Sequence, residues 1–131
     1  MTRHSALYWA ATTAFLAIAF LVPGVGNIIH ASHIASDMAH LGYPSYFLSI
    51  LGCWKVLGAI AILVPGLPRL KEWAYAGMIF DLTGAAASRA AVGDRALMIV
   101  MPLLIGSVAF ISWSLRPSDR KLELRPNGIA A

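Results

Sequence analysis

Residues 42–89 read GYPSYFLSILGCWKVLGAIAILVPGLPRLKEWAYAGMIFDLTGAAASR, from Gly42 to Arg89. Two apolar runs are separated by Pro65-Gly66-Leu67-Pro68, a stop built from two prolines and a glycine. The stretch therefore reads as two helices of opposite direction, each with one charge near its middle, Lys55 in the first and Asp81 in the second. A lone charge at the centre of a membrane helix costs at least about 2.5 to 3.5 kcal/mol on insertion scales. A chain that places two such charges has a partner or a purpose for them.

Composition supports the membrane setting. Of 131 residues, 59% are hydrophobic and only 12% are charged, where soluble domains average about 45 to 50% and about 25%. Each membrane helix needs about 20 mostly apolar residues, and four such runs fit this chain at about 5–29, 46–64, 72–91 and 96–115. The expected fold is all-α, a single integral membrane domain built as a four-helix bundle. The formal charge of +4 does not point to nucleic acid, because the basic residues sit at span ends and in the tail. The single cysteine, Cys53, excludes an intramolecular disulfide and a CxxC redox pair.

The first span opens with Tyr8 and Trp9, suited to an interfacial aromatic belt, and Pro23, Gly24 and Gly26 interrupt its end. Arg3 and His4 before an apolar core resemble a signal peptide, yet no small-x-small cleavage site follows closely, so a retained helix is expected. Ala10, Ala14 and Ala17 form a small-residue face on it. Gly52, Gly58, Ala59 and Ala61 thin the second span, and Gly77, Gly84 and Ala85 to Ser88 offer a close-approach surface on the third. Pro102 predicts a kink in the fourth. Trp73 and Trp113 fall near span ends, whereas Trp54 sits deep and is expected to pack inward or line a cavity. Residues 30–44 form an interfacial segment, and 116–131 a short, charged, mobile tail.

Basic residues set the orientation. Arg3, Arg69, Lys71, Arg116, Arg120, Lys121 and Arg125 lie on one side, and only Arg89 and Arg95 on the other. This bias places the N and C termini in the cytoplasm and the segment 30–44 outside.

Lys55 and Asp81 each lie about ten residues from the outer end of their span, roughly 15 Å deep at 1.5 Å per residue. Antiparallel neighbours bring them together. Two readings fit: a buried ion pair that fixes helix register, or a catalytic centre that handles protons or binds an anion. Arg89, two turns above Asp81, either snorkels outward or turns inward. Turned inward, it completes a substrate-binding pocket that opens outward, with Tyr43, Tyr46 and His40 at the mouth. His30, His33, Asp37 and His40 recur at i, i+3, i+7 and i+10, within about 80° of arc on a helix. That spacing suits either a polar interfacial segment or a metal site formed by His30, His33 and Asp37.

The strings LGYP, WKVLG, RLKEWAYAG and FDLTGA, centred on Gly42, Lys55, Lys71 and Asp81, resemble the DoxX-like family of small bacterial membrane proteins. The resemblance is close from Met38 to Asp94 and looser in the flanks. It implies a multi-pass four-helix bundle of the bacterial cytoplasmic membrane. The wider DoxX and DoxD group is linked to thiosulfate-to-quinone oxidoreduction and to membrane complexes handling oxidative stress, which makes a quinone the cofactor to test. Arg89 stands where similar proteins carry histidine, so a general-base role there is not implied. The expected function is a component of a membrane redox or small-molecule transforming system. Its rivals are a non-catalytic bundle that binds a partner membrane or redox protein, and a small transporter working as a homo-oligomer. Besides the lipid bilayer, a protein partner or a second copy is thus expected, and nucleic acid is not.

Overall fold

A computed structural model of the chain describes residues 2–121, 124–125 and 128–129. Five helices account for nearly all of it: α1 (Arg3–Ile28), α2 (Ser32–His40), α3 (Ser45–Leu63), α4 (Pro68–Ala91) and α5 (Ala96–Ser114). A 3₁₀ turn follows at Ser118–Arg120, and the two-residue strands β1 (Leu124–Arg125) and β2 (Gly128–Ile129) pair antiparallel. Three of the helices, α1, α3 and α5, are long and apolar enough to cross a membrane. The fourth long helix, α4, is 24 residues but carries Arg69, Lys71, Glu72, Asp81 and Arg89.

The long helices follow the apolar runs because those runs are bounded by strong breakers. Pro68 occupies the first turn of α4, where its missing N–H would have no helical partner anyway. Pro23 and Pro102 do not end their helices; α1 and α5 continue through both. Membrane helices tolerate such prolines because neighbouring groups can take up the carbonyl that proline frees.

Among the described residues, α1 packs on α3 and α5, α4 packs on the same two helices, and the backbones of α1 and α4 do not approach each other closely. Leu16, Phe20, Ala59, Ile62, Tyr75, Met78, Leu82 and Ala109 form the core. In α4 the buried residues Lys71, Tyr75, Met78, Leu82 and Ala86 recur at helical spacing along one face.

The closest crossing is that of α1 and α3. A Cβ added to Gly52 would lie 2.7 Å from the Gly24 carbonyl oxygen, 2.7 Å from Ile28 and 2.9 Å from Asn27. Only hydrogen fits there, and backbones that approach this closely gain the dispersion contacts that hold helices together in lipid. Gly24, expected to interrupt α1, is instead half of the crossing.

Three expected faces are corrected. On α1 the buried residues are Thr13, Leu16, Ala17, Phe20, Gly24 and Asn27, so Ala10 and Ala14 look outward. On α4 nothing lies within 4 Å of a Cβ added to Gly77 or Gly84. Trp54 does not pack inward; it is 67% exposed. Each error has one cause: lipid is as apolar as the core, so apolar side chains do not mark which face is inside.

The end of the molecule that carries α1's start, the α3–α4 turn and α5's end is tied by cations. Lys71 Nζ donates to the Ala61 carbonyl at 2.6 Å and to that of Val64. Arg120 reaches the Ile62 and Leu63 carbonyls at 3.2 Å and stacks over Trp9. These are the last carbonyls of α3, which lack helical partners and sit at the negative end of its dipole. Arg116, 4% exposed, pairs with Glu72 at 2.6 Å and lies over the Tyr75 and Trp113 rings. The start of the expected mobile tail is therefore docked; positions 122–123, 126–127 and 130–131 lie outside the described residues.

Candidate functional site

Lys55 on α3 and Asp81 on α4 meet, as equal depth on antiparallel helices predicts. Their Nζ and Oδ2 atoms are 3.8 Å apart, and the side chains are 18% and 21% exposed. That separation exceeds an N–H···O hydrogen bond. The contact is therefore a long ion pair, at the outer edge of hydrogen bonding. The pair thus keeps its Coulombic attraction while much of its hydrogen-bonding capacity stays open. The Lys55 stem packs against Gly24, whose added Cβ would sit 3.1 Å from Lys55 Cβ and from Val56.

The residues before and after each member of the pair divide between the outside and the core. Successive residues turn about 100° around a helix. On antiparallel helices facing each other, the residues preceding Lys55 and Asp81 therefore turn to the same side of the α3–α4 seam, and those following turn to the other. The preceding residues, Trp54 and Phe80, are 67% and 74% exposed. The following ones, Val56 and Leu82, face α1 and the core. The Lys55–Asp81 pair lies at the boundary between them.

Arg89 does not join this pair. It binds Asp37 of α2 and, at 2.9 Å, Asp94 of the α4–α5 loop, while His40 Nε2 donates to Asp94 at 2.7 Å. Hydrogen bonds from His40 and then Arg89 hold the Asp94 carboxyl below the usual carboxylate range. Tyr43 bonds Ser88 at 2.5 Å, directly tying the start of α3 to the end of α4. Arg89 lies eight residues beyond Asp81, about 12 Å along the helix. The residues expected around one pocket thus occupy two layers: Lys55 and Asp81 deep, and Arg89, His40 and Tyr43 in a strap above. Tyr46, at 67% exposure, faces outward.

The histidine-rich segment is only partly helical. His30 has φ 54° in the turn before α2, so it does not share a helix with His33 and Asp37, and it bonds Ser49 at 2.9 Å. Among the described residues no three His, Cys, Asp or Glu side chains gather as a metal set. Asp37 is taken by Arg89.

A further buried polar group was not anticipated. Thr13, Ser112 and Tyr75 form a hydrogen-bonded chain with 2.8 Å links, next to the Glu72–Arg116 pair, whose Glu72 also accepts from Trp113 Nε1 at 2.7 Å. The sequence signal was Glu72 at the base of an apolar run; its partner, 44 residues on, carried none.

The profile of the DoxX-like family matches residues 11–112. The chain belongs to the DoxX-like family. The matched region takes in α2, α3 and α4 whole, and with them both layers of charge in this DoxX-like protein. No curated protein and no solved structure matches the chain.

Proposed function

We propose that this DoxX-like protein is a multi-pass four-helix bundle of the bacterial cytoplasmic membrane that presents the Lys55–Asp81 pair to a small molecule, as part of a membrane redox or small-molecule transforming system. In this reading α4 crosses the membrane with α1, α3 and α5, using α3 and α5 to cover its polar positions. Both termini and the α3–α4 turn are cytoplasmic, following the seven basic residues gathered at that end. The observation that carries the functional reading is the open pair. A purely structural ion pair gains most when its hydrogen bonds are closed, and this one is held at 3.8 Å with both groups reachable. Lys55 donates to a bound acceptor atom, and Asp81 accepts from, or exchanges a proton with, a bound hydroxyl. A quinone is one ligand with such atoms.

Gentle purification in native lipid, followed by an absorption spectrum and mass spectrometry of bound small molecules, tests the reading. A stoichiometric organic ligand is expected. A protein that carries none, with a partner polypeptide at fixed ratio instead, favours the second reading, a non-catalytic or oligomeric bundle. That reading draws on one observation: the outward face of α4 is uncovered, with open space at Gly77 and Gly84 and Phe80 exposed between them.

A further inference from the structure

The geometry points to a lateral route: we infer that the ligand of the Lys55–Asp81 pair is a neutral, membrane-dissolved molecule with a hydroxyl or carbonyl head, which reaches the pair from the bilayer between α3 and α4, past Trp54 on α3 and Gly77 and Gly84 on α4, and not from outer water. The inference rests on the pair being a ligand site, as proposed above.

Three observations carry it. First, the outer end is strapped. α2 is bound to α4 and the following loop through Asp37–Arg89–Asp94–His40, and the Tyr43–Ser88 bond closes the seam at the level where α3 starts. A water-soluble ligand must break this strap to enter. Second, the deep part of the same seam is uncovered. Trp54 stands beside it on α3 with 67% of its surface free, and on α4 Gly77 and Gly84, within about 60° of Asp81 around the helix, have nothing within 4 Å of an added Cβ. The 18% and 21% exposure of Lys55 and Asp81 fits access from that side. Third, charge limits the head group. The pair sums to zero, so a charged ligand would leave a net charge in hydrocarbon, at a cost of several kcal/mol. A neutral hydroxyl or carbonyl accepts from Lys55 Nζ, and a hydroxyl also donates to Asp81, which fills the capacity the pair leaves open. The flat indole of Trp54 beside the opening suits an apolar chain or ring behind that head.

The test uses the full chain in liposomes, with Cys53→Ser as background, and a long-chain alcohol bearing a diazirine as photoprobe. Saturable adducts on peptides carrying Lys55 and Asp81 are expected, competed by the unlabelled alcohol. The Lys55→Met, Asp81→Leu double variant, checked for fold by gel filtration and circular dichroism, raises the half-saturating concentration about tenfold or more, the scale of one charge-assisted hydrogen bond. Trp54→Cys with Gly84→Cys, bridged by a bismaleimide, removes the labelling, while Arg89→Gln, which opens the strap, leaves it unchanged. Labelling that survives the bridge, or that appears only with Arg89→Gln, overturns the lateral route and leaves the site standing. Labelling that cannot be saturated, or is unchanged in the folded double variant, overturns the site itself. A short-chain, water-soluble alcohol with the same diazirine gives no saturable adduct; equal labelling by it refutes the membrane-dissolved class.

Discussion

Replacing Gly52 by alanine adds one methyl group at the α1–α3 crossing. That carbon would lie 2.7 Å from the Gly24 carbonyl oxygen, a backbone atom that cannot swing aside as a side-chain tip can. The helices must separate by several tenths of an ångström or more. Overpacking of this kind costs about 1 to 3 kcal/mol, against which alanine returns up to about 1 kcal/mol of helix propensity. The expected net loss is about 1 to 2 kcal/mol, read as a lower midpoint when reconstituted protein is unfolded by a denaturing detergent and followed by circular dichroism. Gly77→Ala is the matched control. It adds the same group to a helix but meets nothing within 4 Å, so its stability is expected to equal or slightly exceed that of the native chain. Equal midpoints for Gly52→Ala and Gly77→Ala would refute the crossing as the point where α1 and α3 are locked.

Three further outcomes are expected. Arg116→Met leaves Glu72 without its cation; because Glu72 keeps 30% exposure, the loss is about 2 kcal/mol rather than the 3 to 5 kcal/mol of a fully buried broken pair, and thermal unfolding in mild detergent reads it. Asp94 gives the strap an acid limit: its folded carboxyl titrates below the unfolded one, so its contribution is complete above the ordinary carboxylate range and is lost as pH falls through the lower folded value. Hydrogen exchange across 32–42 is expected to quicken over that acid window in the native protein and to lose that response in Asp94→Asn. Single-tryptophan variants should place Trp54 and Trp73 at different depths, with Trp54 quenched most by bromines deep in the acyl chains and Trp73, at 76% exposure near the start of α4, by bromines near the head groups.

Helix limits were legible where proline or glycine closes an apolar run, and less so elsewhere: the run expected to start at 72 starts at Pro68, and Pro23 and Pro102 end nothing. The expected spans 46–64 and 96–115 became Ser45–Leu63 and Ala96–Ser114. The meeting of Lys55 and Asp81 was legible too, since equal depth on antiparallel neighbours leaves few other partners. Helix rotation was not. Composition alone points Ala10, Gly77 and Trp54 inward, and each points outward, because a membrane chain lacks the polar stripe that marks the solvent side of a soluble helix. Charge partners were legible only when local. Asp94, five residues past Arg89 across a turn at Gly93 with φ 76°, was within reach of inspection. Arg116 and Lys71 were counted as orientation signals; their positions at span ends gave no sign that one is buried against Glu72 and the other against the carbonyls of α3.

The central claim, that Lys55 and Asp81 hold a ligand rather than only each other, is tested most directly by quantifying the small molecule retained in native-lipid discs by the native chain and by the Lys55→Met, Asp81→Leu variant. The expected result is a neutral, lipid-soluble compound near one per chain in the native protein and its loss from a variant that remains folded. A folded double variant that retains the compound at the same ratio, or a native protein that carries none, would contradict the account.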